Sequence, residues 1–271
     1  MEIGVVIVYE PEKLEEKFKK AAEAGFHVCQ LINWQPREFG AKDAALVRDL
    51  CQKYAVRIST YWAGWTGGGI WNFIDGPTTL GIVPPATRAE RVADLKLGSD
   101  FAALLGVDKV ATHLGFIPEN PSDPNYPSVV ETVRELGDYC KKNGQQFIFE
   151  TGQETPVTLL RLITDTGCDN LGINLDPANL ILYGKANPVD ALLIIGSYVR
   201  DVHAKDGKYP TDGRLLGKQM PLGEGHVNFP ALIAGLKDVG YDGTLIIERE
   251  ISGPEQERDI LAAKAMLEAL I

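Results

Sequence analysis

Histidine and cysteine are both scarce in this chain, with 4 of each among 271 residues. Cys29, Cys51, Cys140 and Cys168 form no CxxC pair, and no Cys/His cluster marks a structural zinc site. All four read as reduced thiols of a cytoplasmic protein. Positive charge is short too: 27 Lys and Arg against 37 Asp and Glu leave a net charge of −10. An acidic surface repels phosphate backbones and anionic lipid, which argues against nucleic acid and membranes as partners. No apolar stretch approaches the ~20 residues that span a bilayer. The opening Met-Glu-Ile-Gly-Val-Val-Ile-Val has no basic segment before its apolar run, so no secretory signal is expected. No GxGxxG or GxxxxGKS/T follows an apolar run, which removes the usual phosphate loops. Linkers, repeats and low-complexity stretches are missing as well, so 1–271 reads as one domain.

What is present is alternation. Eight short β-like runs occupy 3–8, 26–32, 56–61, 109–113, 146–150, 171–176, 198–203 and 244–248. A helix-like stretch follows each: 11–24, 42–54, 87–105, 128–143, 156–166, 188–196, 229–239 and 255–270. Pro11, Pro127, Pro156, Pro188, Pro230 and Pro254 fall near helix starts, where a missing N–H costs little. Gly25, Gly106, Gly144, Gly167 and Gly240 follow helix ends. Strict βα alternation repeated eight times predicts an α/β fold, a (β/α)₈ TIM barrel. The long connections 62–86, 114–127, 177–187 and 204–228 all follow strands, the face that barrel enzymes elaborate.

Four of the late runs end in a side chain able to hold a metal. They read Gln-Phe-Ile-Phe-Glu150, Gly-Ile-Asn-Leu-Asp176, Val-Arg-Asp-Val-His203 and Leu-Ile-Ile-Glu248. Strand side chains alternate sides. With Glu150, Asp176, His203 and Glu248 inward, Phe147, Phe149, Leu171, Ile173, Leu175, Val202, Leu245 and Ile247 all point to the helices. Asn174 and Asp201 then fall inward one layer below, placed to orient the ligands. Three carboxylates and one imidazole favour Mn²⁺, with Mg²⁺, Co²⁺ and Zn²⁺ also compatible. Glu250 shares the phase of Glu248 and is the alternative last ligand.

The stretches Phe149-Glu150-Thr-Gly, Asn174-Leu-Asp176-Pro-Ala-Asn179, Val202-His203-Ala-Lys205-Asp206, Leu222-Gly-Glu224-Gly and Ile247-Glu248-Arg-Glu250 resemble the xylose isomerase-like barrel superfamily. That group holds sugar and sugar-phosphate isomerases, ketose 3-epimerases, inosose dehydratases and apurinic endonucleases. The resemblance implies that Glu150, Asp176, His203 and Glu248 bind the metal and that Glu150 and Glu248 also move protons. Two positions depart from the epimerase pattern. Asn179 stands where the epimerases carry a substrate-binding His, and Tyr209 where they carry an Arg. The endonucleases need a histidine-rich multi-metal site, which a chain limited to His27, His113, His203 and His226 does not supply.

The expected activity is metal-dependent isomerisation or epimerisation of a sugar or polyol, through an enediolate formed when Glu150 or Glu248 takes a proton. Elimination from a keto-sugar or inosose, by a dehydratase or lyase, begins with the same proton abstraction and is the runner-up. A catalytically silent sugar-binding or partner subunit would show a disrupted quartet, and the quartet is intact. Substrate contacts are expected from His113, Lys205, Asn179, Trp62 and Trp65. His113 reads equally as a hydrogen-bonded core residue, and Lys205 as the partner of Asp206 or another rim acid. Trp34, Trp71 and the glycines Gly67, Gly68 and Gly69 belong to the same tryptophan-rich loops, where rings stack on sugar C–H faces or simply anchor the chain. Glu224 is expected behind the ligands or in a turn, His226 at the surface, and Arg249 paired on the rim. No late-loop arginine cluster calls for a phosphate, so the substrate is expected to be unphosphorylated. A homo-oligomer is compatible with the sequence and not specified by it.

Overall fold

The computed structural model describes residues 1–35, 37 and 39–271. Its strands are β1 (Glu2–Val8), β2 (Val28–Asn33), β3 (Arg57–Ala63), β4 (Lys109–Thr112), β5 (Gln146–Glu150), β6 (Leu171–Leu175), β7 (Val199–Ala204), β8 (Asp206–Lys208), β9 (Lys218–Met220) and β10 (Thr244–Ile247). The helices are α1 (Leu14–Glu23), α2 (Ala41–Tyr54), α3 (Gly76–Thr79), α4 (Pro85–Leu105), α5 (Tyr126–Lys142), α6 (Pro156–Thr166), α7 (Pro177–Leu182), α8 (Pro188–Ile195), α9 (Phe229–Asp238) and α10 (Pro254–Glu268). Eight strands close into a barrel in the order β1-β10-β7-β6-β5-β4-β3-β2, every pair parallel. This is the expected (β/α)₈ barrel. No helix among the described residues is long and apolar enough to cross a membrane.

The large apolar core lies between barrel and helices. Phe147, Phe149, Ile173, Leu175, Val202, Leu245 and Ile247 belong to it, as the strand phase requires. Burying each such side chain contributes roughly 1.5–3 kcal/mol. A smaller cluster of Ile32, Trp62, Trp65, Ala111 and Ile148 lies toward the barrel mouth. Between floor and mouth the interior turns polar. Asp201 accepts hydrogen bonds from Thr60 Oγ1 at 2.5 Å, Thr244 Oγ1 at 2.5 Å and Ser59 Oγ at 3.2 Å. Two register shifts serve this belt. One inserts Ser59 between Ile58 and Thr60 opposite β2, and the other inserts Arg200 between Val199 and Asp201 opposite β6.

Three of the expected loops contain secondary structure. The segment 177–187 opens as α7 because Asp176 caps it, accepting the Asn179 N–H at 2.8 Å, with Pro177 in the first turn. The segment 204–228 carries the antiparallel hairpin β8–β9. The segment 62–86 carries α3, and Trp62 belongs to β3 rather than to the loop. Helix α4 fastens that loop from behind. Arg91 donates to the Thr79 and Gly81 carbonyls at 2.8 and 2.6 Å and lies 5.3 Å from the Trp65 ring, while Asp94 accepts the Thr66 N–H at 2.7 Å. At Gly81, φ is +64° and an added Cβ would lie 2.0 Å from the Leu114 carbonyl oxygen, so only glycine lets this loop pass the β4–α5 connection.

Candidate metal centre

Glu150 ends β5, Asp176 and Glu248 follow β6 and β10, His203 is the penultimate residue of β7, and the four meet at one mouth. Each offers one ligand atom, and these atoms all lie within 4.8 Å of one another. His203 Nδ1 is 3.2 Å from Glu150 Oε1, 3.3 Å from Glu248 Oε2 and 3.6 Å from Asp176 Oδ2. Two of these buried atoms, His203 Nδ1 and Asp176 Oδ2, make ion-pair contacts but no hydrogen bond. A buried polar atom without a hydrogen bond costs free energy, and converging carboxylates with an imidazole suit a cation. Oxygen-rich donors with one imidazole fit a hard or borderline dication. Glu248, not Glu250, completes this candidate set. Glu250 is more exposed and pairs with Lys205 Nζ at 3.0 Å instead.

Each ligand is held from behind. His203 Nε2 donates to Gln30 Oε1 at 2.7 Å, which leaves Nδ1 facing the carboxylates, and the Asn174 carboxamide lies 3.0 Å from the same Nε2. Gln30 in turn reaches Asp201 Oδ2 through Nε2 at 3.5 Å. Asn174 thus touches a ligand directly, and Asp201 acts through Gln30. Glu150 Oε2 accepts from Trp62 Nε1 at 2.5 Å, and Oε1 accepts from Asn179 Nδ2 at 3.2 Å. His113 Nε2 lies 3.4 Å from Glu150 Oε2.

Charge explains the protonation states. Burial alone would raise the Glu150 carboxyl, but the His113 and His203 imidazoles outweigh it and hold it well below the usual carboxylate range. Glu248 feels the same opposition; Lys205 and His203 win and hold it at about 2. Burial would lower His203, but Glu150 and Glu248 lift it well above an ordinary histidine. Lys205, only 2 % exposed, lies 3.0 Å from Glu248 Oε2 and 3.3 Å from Asp176 Oδ2. Against its burial, Asp176, Glu248 and Glu250 lift it well above the ordinary lysine value.

The other predicted residues divide clearly. His113, Asn179, Lys205 and Trp62 join the quartet. Trp65 is buried one ring away, with its centroid 5.9 Å from that of Trp62. Trp34 and Trp71 flank them, Trp71 5.1 Å from the His113 ring, and Trp34, Trp65, Trp71 and glycines 67–69 line a cavity of about 590 Å³. Glu224 does not reach the ligands. It is exposed, because its neighbours Gly223 and Gly225 donate their N–H groups to Asp206 at 2.9 Å each and turn the loop outward. Asp206 therefore caps a turn, and Lys205 pairs with Asp176, Glu248 and Glu250 instead. Arg249 pairs with Asp259 at 2.7 Å, and His226 lies exposed beside Tyr209.

Sequence reasoning missed Gln30, Gln153, Glu154 and Tyr183. For Gln30 a signal existed: it is the lone polar residue inside Val-Cys-Gln-Leu-Ile and faces inward by phase. Glu154 is 2 % exposed, and burial pushes its carboxyl up to about 7, against the smaller pull of His113 and Lys185.

Comparison with known proteins agrees with this architecture. A xylose isomerase domain protein from Planctomyces limnophilus superposes with a TM-score of 0.92 at 34% identity, covering 99% of this chain and 96% of that one. A D-allulose 3-epimerase from Methylomonas sp. superposes at 0.75 with 17% identity, covering 100% and 98%, a likeness of fold alone. An uncharacterized protein of Methanocaldococcus jannaschii is 28% identical over 285 residues, 98% of this chain and 88% of its own. An inosose dehydratase of Lacticaseibacillus casei is 25% identical over 148 residues, 48% of each chain. The family described as "Xylose isomerase-like TIM barrel" matches residues 18–270, and the chain belongs to that family.

Proposed function

We propose that this protein is a divalent-metal-dependent isomerase or epimerase of a sugar or related polyol. The observation that carries the reading is the convergence of Glu150, Asp176, His203 and Glu248, two of whose buried ligand atoms make no hydrogen bond. A divalent cation held by these four side chains supplies Lewis acidity toward a carbonyl and an adjacent hydroxyl oxygen.

The chain's own groups do the rest. Glu150 and Glu248 stand on strands separated by two others in the barrel, β7 and β6, so they face a substrate from opposite sides. Both are held ionised, which suits one to take an α-proton while the other returns one to the opposite face. Asn179 and Trp62 fix the Glu150 carboxylate from both oxygens, which sets the direction of its lone pairs. Lys205 offers a buried ammonium to the negative charge that proton removal leaves on the substrate. Trp34 and Trp71, exposed above the buried Trp62 and Trp65, offer ring faces to substrate C–H groups.

The similarity to an inosose dehydratase supports a second reading on the same residues. There the carbanion expels a β-hydroxyl, and Lys205 or His113 protonates the departing oxygen.

The test has two stages. Mn²⁺ should raise the melting temperature of the metal-free protein, and the absence of any shift or binding would remove the metal from the mechanism. A panel of ketoses and inososes, followed by NMR in D₂O, should then reveal exchange of an α-proton. Glu150→Gln should abolish that exchange; undiminished exchange would take the proton-carrier role from Glu150.

A further inference from the structure

Two more orphaned polar side chains stand near the quartet, and the mechanism above leaves them unused. Gln153 is 1 % exposed and Tyr183 4 % exposed. Neither the carboxamide oxygen and nitrogen of Gln153 nor the hydroxyl of Tyr183 has a hydrogen-bond partner. His113 Nδ1, on the far side of the ring nitrogen that faces Glu150, is also orphaned. Sequence and packing bring the three together. Gln153 follows β5 three residues after Glu150, and Tyr183 closes α7, the helix that Asp176 caps. Between them Gly152 packs so tightly that an added Cβ would lie 3.2 Å from Asn179 Cβ and 3.4 Å from the Tyr183 ring. Burial pushes the Tyr183 hydroxyl above the usual tyrosine range, against the smaller pull of the neighbouring Gln153 side chain and of Lys205. Phe73 and Phe116 pack edge-on to its ring and hold it in place.

Four buried polar atoms without a hydrogen bond to the protein, beside one site, are available to a ligand. Their chemistry is selective. A carboxamide donates twice and accepts, and a phenol donates and accepts. A sugar hydroxyl does both and can satisfy every one of them. A phosphate only accepts, and would leave the Gln153 oxygen unmatched. The lysines on this wall are already held: Lys185 by Glu119 at 3.2 Å and Lys205 by three carboxylates.

We propose that Gln153, Tyr183 and His113 form the substrate-reading wall of the metal site and select a neutral, polyhydroxylated ring over a phosphorylated sugar. The proposal rests on the metal-site reading and adds to it the residues that recognise the substrate.

Tyr183→Phe and Gln153→Met separate this role from a structural one, because the two roles move stability in opposite directions. Removing an orphaned polar atom should raise the melting temperature of the ligand-free protein by roughly 2–4 °C per variant. In calorimetric titrations of Mn²⁺-loaded protein, D-fructose or myo-inositol should bind more tightly than D-fructose 6-phosphate. Each variant should weaken the neutral ligand about tenfold or more, with Mn²⁺ affinity unchanged. A lower melting temperature in both variants, unchanged polyol affinity, preference for the phosphate ester, or no binding of either neutral polyol by the wild type overturns the proposal. Mn²⁺ binding with unaltered polyol affinity in the variants overturns the proposal alone; no Mn²⁺ binding by the wild type overturns the metal reading with it.

Discussion

Lys205→Met should expose how much of the metal-free fold depends on one ammonium. Lys205 Nζ lies 3.0 Å from Glu248 Oε2, 3.0 Å from Glu250 Oε2 and 3.3 Å from Asp176 Oδ2. At an effective dielectric of about 20, a charge pair at such a separation gains about 5 kcal/mol before desolvation. Desolvation of the buried lysine cancels much of the sum, and losing one partner of a buried pair costs about 3–5 kcal/mol net. At roughly 2–4 °C per kcal/mol for a chain of this size, the metal-free variant should melt roughly 6–20 °C below the wild type. Saturating Mn²⁺ should shrink that gap, because a dication between Asp176 and Glu248 replaces the lost charge. Mn²⁺ should also bind the variant more tightly, since Asp176 Oδ2 and Glu248 Oε2 are no longer shared with an ammonium. Differential scanning fluorimetry in EDTA and in a Mn²⁺ series measures all three quantities. A metal-free variant melting within about 2 °C of the wild type, or a gap that Mn²⁺ leaves unchanged, would refute the reasoning.

Two further substitutions probe groups behind the ligands. Gln30→Met removes the acceptor that fixes the His203 ring, 2.7 Å from Nε2, and should weaken Mn²⁺ roughly 10- to 100-fold with little change in the fold; unchanged affinity in a Mn²⁺ titration would deny Gln30 that role. Glu154→Gln tests a pH effect. The folded carboxyl titrates at about 7 against 4.5 in the unfolded chain, so the folded state keeps a proton that the unfolded state has lost between those values. Its contribution is therefore fully favourable below pH 4.5 and lost as the pH rises through 7. The loss is 1.36 kcal/mol for each of 2.5 units, or about 3 kcal/mol. Urea unfolding at pH 5 and pH 8 in EDTA should show the variant gaining most of that amount on the wild type at the higher pH, and parallel behaviour at both would contradict the assignment.

The barrel and its quartet were legible for one reason: strand phase couples two independent signals. A ligand inward forces apolar neighbours outward, and Phe147, Phe149, Leu175, Val202, Leu245 and Ile247 satisfied that on four strands at once. The features that escaped lack such a second signal. The β8–β9 hairpin is built from Asp-Gly-Lys and Lys-Gln-Met, short polar strands with no apolar face to announce them. Helix α7 is six residues of loop-length sequence whose only local mark is Asp176-Pro177, and there the cap and the ligand are one residue. The inserted Ser59 and Arg200 shift register without changing composition. Gln153 and Tyr183 carry no motif at all, and only their burial without partners distinguishes them.

The polar belt beneath the mouth explains how the barrel tolerates its unsatisfied ligands. Asp201 draws hydroxyls from β3 and β10 and the Gln30 carboxamide from β2, so strands from across the barrel are tied to one carboxylate. A buried polar network of this kind rigidifies when its members are satisfied. Gln30 passes that rigidity to His203, and α7 passes its own to Asp176 through the cap. His203 Nδ1 and Asp176 Oδ2 therefore keep their ion-pair contacts without turning toward a hydrogen-bond partner, and those missing hydrogen bonds cost free energy. That cost persists because the surrounding belt overdetermines the geometry, the condition under which strain is retained at a working site. A cation or a substrate that satisfies those atoms recovers it, which couples ligand binding at the mouth to the stability of the whole barrel.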